Sequence, residues 1–354
     1  MELNNLILIF FLAVFGLFFF KYFPLLINKF NPKLLIDDQF DKPQAFHEFP
    51  ISISGGVGIY ISFLILFLYL FLSGQVFYYE YLSFCTMFFV LGFVDDINLN
   101  IRPKFRLLLM IIALIFLVTS NEFYIENTGI DFLNRFLKID IFALFFICLC
   151  FLFIVNGSNL IDGYNGLLSI HTLIILVNLF FINYFNNNND LAFIVLCGVV
   201  IIIVFLKYNI PNASVFLGDS GSYLLGTFIA ISTIKTSIAN PQISPFYFCI
   251  LLFYLFFEVF FSFIRKIIIE KKSPLFPDKK HLHMLFYNIL LKKNNNKLKS
   301  NYQVSVIINL IYLLLIAPAV FMMNDGIFCK YYSILFFVFY FFSYKITSKK
   351  NKKL

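Results

Sequence analysis

The sequence N-G-S-N-L-I-D-G-Y-N-G, residues 156–166, separates two strongly apolar segments of the chain. It carries three Asn, one Asp and three Gly where an apolar helix is expected to end. Polar side chains and flexible backbone are costly at the edge of the hydrocarbon core of a membrane. The stretch therefore predicts a polar binding site at the end of a membrane span.

The composition of the whole chain places this stretch in a membrane protein. Hydrophobic residues make up 61% of the 354 residues and charged residues 13%, whereas soluble domains are about 45–50% apolar and about 25% charged. Apolar runs of about 20 residues, enough to cross a bilayer, follow one another almost without interruption. We predict an all-α polytopic membrane helix bundle that forms a single domain over residues 1–354, with no nucleic acid as a partner.

Eleven spans are predicted, and the first apolar run is interpreted as a span rather than as a cleavable signal. Their limits are 6–27, 51–73, 77–94, 105–120, 139–155, 166–185, 190–206, 222–239, 244–264, 303–323 and 327–345. The connections on one side are 28–50, 95–105, 156–165, 207–221 and 265–302, together with the tail 346–354.

The basic residues are divided very unequally between the two sides. Of the 27 Lys and Arg residues, 22 fall on the side of these connections, counting Arg106 and Lys345 at the adjoining span ends, and four on the other. Cytoplasmic loops carry an excess of Lys and Arg, so this asymmetry predicts an outer N-terminus and a cytoplasmic C-terminus. We expect a multi-pass protein of the cytoplasmic membrane.

Three further polar clusters fall on the predicted cytoplasmic side. They are G-F-V-D-D at 92–96, F-L-G-D-S-G-S at 216–222 and P-D-K-K-H-L-H at 277–283. Because all four clusters share one face in this topology, we expect them to form a single site.

Asp95 and Asp96 are adjacent carboxylates at a predicted helix C-terminus, where the helix dipole disfavours anions. The basic residues Arg102, Lys104 and Arg106 could neutralise them in a solvated turn. The alternative is a metal site or a catalytic base, because neighbouring carboxylates raise each other's pKa.

The other polar residues also allow two interpretations each. Asp219 is either an ordinary helix cap or a ligand of Mg²⁺. Asn156, Asn159 and Asp162, spaced i, i+3 and i+6, share roughly one helix face. Their polar side chains could bind a nucleobase or a sugar, or join the coordination shell of a metal. The alternative is a polar contact between helices.

His281 and His283 have a spacing that does not align both rings on one zinc ion. Donation to a phosphate beside the neighbouring lysines fits them better. The following segment, L-H-M-L-F-Y-N-I-L-L-K-K, has the pattern of an amphipathic helix on the membrane surface.

The four clusters together offer carboxylates, amides and basic residues, and they suit a divalent metal. At the cytoplasmic end of a lipid-facing bundle, this chemistry fits phosphoryl transfer between a nucleotide and a lipid. A transporter is the alternative from another class, although transporter sites lie near the bilayer midplane. A lipid-binding scaffold without chemistry is a third interpretation.

The four clusters, in this order, closely resemble the polyprenyl-phosphate N-acetylhexosamine-1-phosphate transferase family. The resemblance covers nearly the whole chain and implies eleven spans with a cytoplasmic active site. It implies Mg²⁺, with Mn²⁺ as a substitute, a UDP-N-acetylhexosamine donor and an undecaprenyl phosphate acceptor drawn from the membrane lipids. A homodimer is left open.

The resemblance also implies roles for single residues. Asp95 and Asp96 match a pair associated with deprotonation of the acceptor phosphate, and Asp219 matches the Mg²⁺ ligand, with Asn159 close to it. The remaining matches are with substrate-binding positions: Asn156, Asp162, Asn165 (a uracil contact in some relatives), Lys104, His281, His283, and His47 in the segment D-K-P-Q-A-F-H.

Four features depart from the family pattern or separate its branches. Leu99 stands where an acid is common, Met284 replaces a third His, and Glu48 lies where basic residues are common. The chain has no Trp, whereas the phospho-N-acetylmuramoyl-pentapeptide transferase branch has a Gly-Trp after its His run. We therefore expect N-acetylglucosamine-1-phosphate or a related amino sugar to be transferred, with the pentapeptide transferase as the alternative.

Overall fold

The computed structural model describes residues 3–31, 34–38, 49–97, 99, 101–273 and 278–353. The predicted site residue His47 and its neighbour Glu48 lie outside the described residues. The helices are α1 (Leu3–Phe30), α2 (Gly55–Leu72), α3 (Tyr79–Asp96), α4 (Pro103–Asn121), α5 (Asp131–Phe136), α6 (Asp140–Ile161), α7 (Leu167–Phe185), α8 (Asn189–Asn209), α9 (Gly218–Ala239), α10 (Pro245–Leu251), α11 (Phe253–Ile264), α12 (Leu282–Asn294), α13 (Lys297–Phe321) and α14 (Gly326–Lys353).

The prediction of an all-α polytopic bundle is confirmed. Nine described helices are long and apolar enough to cross a membrane, or ten if the pair α10–α11, bent by 72°, counts as one span. The remaining predicted span corresponds to α3, which has 18 residues but carries Glu80, Asp95 and Asp96. These acidic residues, at its two ends, make α3 less apolar than the other spans, so the count of eleven stays a prediction.

Helix α9 forms the centre of the bundle and packs against α2, α3, α6 and α7. Nearly all of its first sixteen residues are buried, and many are Gly, Ser or Thr. Small residues let helix backbones approach closely in a membrane, where apolar side chains alone supply little driving force for association. The first turn of α9, which carries Asp219, is therefore packed closely between neighbouring helices.

Helices α3 and α9 are joined along their whole length. Glu80 pairs with Lys235 Nζ at 2.5 Å near one end, and the Tyr81 hydroxyl donates to Ser232 Oγ at 3.0 Å farther along. At the other end Gly92 lies against the α9 backbone, where an added Cβ would be 2.4 Å from the carbonyl oxygen of Asp219. Close backbone approach at Gly92 brings the C-terminal acids of α3 to the start of α9.

Replacing Gly92 with Val should lower the thermal unfolding midpoint of the purified protein strongly. The clash is with backbone atoms, so the two helices must separate, and overpacking of this kind typically costs about 1–3 kcal/mol. Gly326→Ala is the control, because the nearest atom to its added Cβ is 3.8 Å away. Equal midpoints for the two variants would show that α3 and α9 are not in close contact at Gly92.

Backbone hydrogen bonds hold the segment that leads into α9. Strands β1 (Ile36–Asp37) and β2 (Ile51–Ser52) pair antiparallel, and Ser52 also accepts a hydrogen bond from Phe216 N at 2.8 Å. The N–H groups that begin α2 then donate to Phe216 and Leu217 at 2.9 Å. The segment that precedes Asp219 is thus held by the segment that precedes α2.

Two connections differ from their predicted limits. Helix α6 continues to Ile161, so Asn156 and Asn159 lie in its last turns rather than in the predicted connection 156–165. The Nδ2 atom of Asn156 donates to the Leu152 carbonyl, one turn earlier in the same helix, at 2.8 Å. The polar side chain is therefore hydrogen-bonded within α6, and the helix can continue past it. The predicted connection 265–302 contains α12, which packs against α13 and α14 and buries Met284 and Tyr287 within the protein.

Candidate active site

Four helix ends bring five side chains together, which we call the acid cluster: Asp95 and Asp96 of α3, Arg106 of α4, Asn159 of α6 and Asp219 of α9. Arg106 Nη1 contacts Oδ2 of Asp95 and, at 3.0 Å, Oδ2 of Asp219. The Arg106 guanidinium also lies over the ring of the buried Tyr223, 5.6 Å from its centroid. One arginine thus neutralises carboxylates from two helices.

Asp96 joins α3 to the first turn of α9. Its Oδ1 accepts from the Asp219 N–H at 2.8 Å, and its Oδ2 accepts from the Ser220 N–H at 3.0 Å and from the Ser220 hydroxyl. A carboxylate at a helix N-terminus is favoured by the dipole and satisfies N–H groups that have no partner inside the helix. Gly218 makes the approach feasible, because it has a φ of +75° and its added Cβ would be 2.6 Å from Asp96 Oδ2.

Asn159 binds the other side of Asp219. Its Nδ2 donates to Asp219 Oδ1 at 2.8 Å and to Ser222 Oγ at 3.0 Å. The Ser222 hydroxyl in turn donates to the Asp219 carbonyl at 3.1 Å. The Asp219 carboxylate is therefore fixed in orientation by Asn159 and Arg106, and its side chain remains 35% exposed.

Asp162 follows directly after α6, beside the cluster. Burial, and then the negative charges of Asp219 and Asp96, raise the pKa of Asp162 well above its usual range. Asp162 lies after the end of α6 and outside its helical geometry, so a shared helix face for Asn156, Asn159 and Asp162 stays a prediction.

Other residues predicted for the site are engaged elsewhere. Asn165 is buried; its Nδ2 donates to the Pro211 carbonyl at 2.8 Å and its N–H to Asn301 Oδ1 at 2.7 Å. Lys104 is exposed, and among the described residues Arg106, two positions later, makes the ion pairs to the acids. Substrate-binding roles for Asn156, Asn165 and Lys104 stay predictions.

The two histidines are buried instead of lying open in a loop. His281 is 5% exposed and His283 is 0% exposed. His281 Nδ1 is 3.1 Å from Oε1 of Glu258, a residue of α11 that is itself only 1% exposed. The same Glu258 accepts from the Leu282 N–H at 3.1 Å and from the Tyr340 hydroxyl at 2.7 Å.

His283 joins this turn to the loop that follows α6. Its Nδ1 is 3.3 Å from the Tyr254 hydroxyl, and its ring meets the Tyr164 ring edge-on at 5.7 Å. Burial lowers the pKa of His283 to about 3, so this imidazole is neutral at physiological pH. His283 is therefore suited to neutral hydrogen bonding and to positioning Tyr164.

Asp278 holds the start of the same turn. It pairs with Arg265 Nη2 at 2.8 Å and lies 3.5 Å from His281 Nε2. Burial opposes ionisation of Asp278, but the Lys280 N–H together with His281 and Arg265 lowers its pKa to about 2. This carboxylate stays ionised throughout the physiological range.

Replacing His281 or His283 with Ala should lower the thermal unfolding midpoint of the purified protein. His281→Ala leaves the buried Glu258 without one partner, and a hydrogen bond to a charged group is worth about 1.5–3 kcal/mol. Lys293→Ala, an exposed change on α12, is the control. Midpoints equal to that of this control would show that the histidines do not stabilise the turn.

The oxygen atoms of the acid cluster fit a hard divalent cation. Mg²⁺ takes oxygen ligands, commonly one or two carboxylates, and completes its shell with water and substrate phosphates. Asp95 and Asp219 already converge on one positive charge, the Arg106 guanidinium. Within the described part of the chain, no group of three or more His, Cys, Asp or Glu residues is arranged to hold a metal ion.

Comparison with known proteins identifies the family of the chain. The model of glycosyl transferase family 4 matches residues 78–237, the segment from the start of α3 into α9, which contains the whole acid cluster. An undecaprenyl-phosphate alpha-N-acetylglucosaminyl 1-phosphate transferase of Thermotoga maritima is 32% identical over 232 residues, 66% of each chain. The chain belongs to glycosyl transferase family 4, which confirms the family predicted from the motifs.

Two phospho-N-acetylmuramoyl-pentapeptide-transferases are also similar over shorter regions. The protein of Caldicellulosiruptor bescii is 29% identical over 179 residues, 46% of this chain and 55% of the relative. The protein of Listeria innocua is 32% identical over 185 residues, 49% of this chain and 56% of the relative. The chain thus spans between about half and about two thirds of the length of these relatives.

Proposed function

We propose that this protein transfers an N-acetylhexosamine-1-phosphate from a UDP-sugar to a polyprenyl phosphate and releases UMP. The observation that carries the proposal is the acid cluster. It unites carboxylates of α3 and α9 with an arginine at the end of a membrane-spanning bundle. The relative from T. maritima is named as an undecaprenyl-phosphate transferase, which supports a polyprenyl phosphate as the acceptor.

In this reaction an oxygen of the acceptor phosphate forms a bond to the β-phosphorus of the UDP-sugar. The bond between that phosphorus and the bridging oxygen breaks, and UMP leaves with the oxygen. Enzymes promote such transfers mainly by positioning and by neutralising charge. Mg²⁺ or Mn²⁺, held by Asp219 with Asn159 beside it, would supply positive charge for the pyrophosphate.

Asp95 is better placed than Asp96 to face the acceptor. Both oxygens of Asp96 accept hydrogen bonds from the start of α9, and its side chain is nearly inaccessible. Among the described residues, Asp95 is bonded only through Oδ2, in its ion pair with Arg106. A phosphate monoester with a second pKa of about 6 is already mostly a dianion, so deprotonation of the acceptor by Asp95 would contribute only modestly to the rate.

For the donor we favour UDP-N-acetylglucosamine or a related amino sugar. The similarity to the T. maritima protein extends over 66% of the chain, against 46% and 49% for the two pentapeptide transferases. The absence of Trp also separates the chain from that branch. Transfer of phospho-N-acetylmuramoyl-pentapeptide is the second candidate, because two relatives carry that name.

The purified protein should release UMP when given UDP-N-acetylglucosamine, Mg²⁺ and undecaprenyl phosphate. A parallel reaction with UDP-N-acetylmuramoyl-pentapeptide decides between the two donors. Release from neither donor, nor from other UDP-amino sugars, would contradict the proposed function.

The proposed reaction needs the acid cluster on the cytoplasmic side, where UDP-sugars are made. With the six native Cys replaced by Ala, a cysteine at Lys299, near the start of α13, should react with an impermeant maleimide only from the cytoplasmic side. A cysteine at Asn189, the first residue of α8, should react only from outside, because 22 of 27 basic residues lie on the predicted inner face. The reverse pattern would place the cluster on the wrong side of the membrane.

A further inference from the structure

Three carboxylates converge at the acid cluster, and they are neutralised in two different ways. Asp96 accepts hydrogen bonds from backbone N–H groups at the start of α9. Asp95 and Asp219 instead share the Arg106 guanidinium. Arg102 is exposed and makes no side-chain hydrogen bond or ion pair with a described residue, whereas Arg106 contacts both Asp95 and Asp219.

Arg106 occupies a position suited to a cation with two carboxylate ligands. One nitrogen, Nη1, contacts an oxygen of Asp95 and an oxygen of Asp219. The Arg106 side chain is only 25% exposed, and the Tyr223 ring lies on one side of its guanidinium. A second cation cannot approach both Oδ2 atoms while the guanidinium stays there, because like charges repel at such distances.

We infer that Arg106 is a built-in counter-cation that competes with a divalent cation for Asp95 and Asp219, and that it binds donor phosphate once displaced. The inference rests on the proposed function, which supplies the divalent cation and the pyrophosphate. Two carboxylates and one guanidinium leave one negative charge, whereas two carboxylates and a divalent cation leave none. The released guanidinium then carries a positive charge to an adjacent pyrophosphate, for which its planar donor fork is well suited.

The competition is tested without substrates, by titrating the purified full-length protein with Mn²⁺ and following free Mn²⁺ by electron paramagnetic resonance. Arg106→Gln should bind Mn²⁺ about tenfold more tightly than the wild type, a difference of about 1.4 kcal/mol. Arg102→Gln removes the same charge four residues earlier and should leave the affinity unchanged. Asp219→Asn should abolish Mn²⁺ binding, and this loss would show that the titration reports on the acid cluster.

Arg106→Lys gives a second test if Arg106→Gln does not fold. An ammonium is a compact point charge without the fork of a guanidinium, so it holds the two carboxylates less well. Mn²⁺ should bind this variant at least about twofold more tightly than the wild type, a smaller gain than for Arg106→Gln because the charge is retained. An affinity equal to or weaker than that of the wild type, in whichever of the two variants folds, overturns the competition.

The second half of the inference is tested by turnover. Arg106→Gln should release UMP more slowly and require more donor, despite its tighter Mn²⁺ binding. Wild-type kinetics for this variant would overturn the role of Arg106 toward donor phosphate. If the wild-type protein itself releases no UMP, the proposed function fails, and the Mn²⁺ titrations still decide whether Arg106 competes for the two carboxylates.

Discussion

Replacing Asp219 with Asn should lower UMP release by about 10²–10³-fold, the range observed when one electrostatic contact to a developing charge is removed. The substitution keeps the size of the side chain and its contact with Asn159. It removes the negative charge that attracts a divalent cation and pairs with Arg106. Folding should be retained, because Asp219 is 35% exposed and an amide of the same size can still accept the hydrogen bond from Asn159.

Asp190 provides a matched control for this experiment. It is the second residue of α8, as Asp219 is the second residue of α9, and it is exposed. Asp190→Asn should therefore leave UMP release unchanged. Activity of the Asp219 variant within a few-fold of this control would exclude Asp219 from the metal site.

Replacing Asp96 with Ala should cause the largest loss of stability among changes at the acid cluster. The substitution leaves the N–H groups of Asp219 and Ser220 buried without their acceptor, and it opens a cavity between α3 and α9. Hydrogen bonds to a charged group are worth about 1.5–3 kcal/mol each and are not additive, so we expect a loss of about 3 kcal/mol. A lower thermal midpoint of the purified protein measures it.

The adjacent residue serves as the comparison. Asp95→Ala removes one partner of Arg106, which keeps its contact with Asp219, and should change the midpoint much less. Both substitutions should reduce UMP release. Equal midpoints for the two variants would show that Asp96 does not hold the start of α9.

Much of the fold follows from the sequence, because hydrophobic runs of span length specify helices directly. The limits of α7 at 167 and 185 lie within one residue of the prediction, since Gly166 and Asn186 interrupt an otherwise apolar run. The end of α6 was placed six residues too early. Asn156 is a residue type common in loops, but its side-chain amide donates a hydrogen bond within the helix, so α6 continues past it.

The sequence predicted which acidic residues form the acid cluster, but not which basic residue pairs with them. The motifs indicated Asp95, Asp96 and Asp219, while three basic residues within five positions were equally able to neutralise the pair. Only the register of α4, which begins at Pro103, turns Arg106 toward the acids and leaves Lys104 exposed. Adjacent residues on a helix point in different directions, and this decides that Asp96 faces α9 while Asp95 faces Arg106.

Glu258 was missed, although the sequence contained a signal for it. It is the one acidic residue in the predicted span 244–264, and an ionisable residue inside a span is expected to have a buried partner. Its partner, His281, lies 23 residues later, across a bend and a connection that local patterns do not describe. The burial of His281 and His283 follows from this pairing, which sequence reasoning could not supply.

The central claim is that a sugar and a phosphate move together from the nucleotide to the lipid. It is tested most directly with UDP-N-acetylglucosamine carrying radioactive phosphorus in the β-phosphate, incubated with the purified protein, Mg²⁺ and undecaprenyl phosphate. We predict that the label passes into the lipid fraction together with the sugar, while unlabelled UMP appears in the aqueous fraction. Sugar in the lipid with the label retained in aqueous UDP would contradict the account, because it would show transfer of the sugar alone.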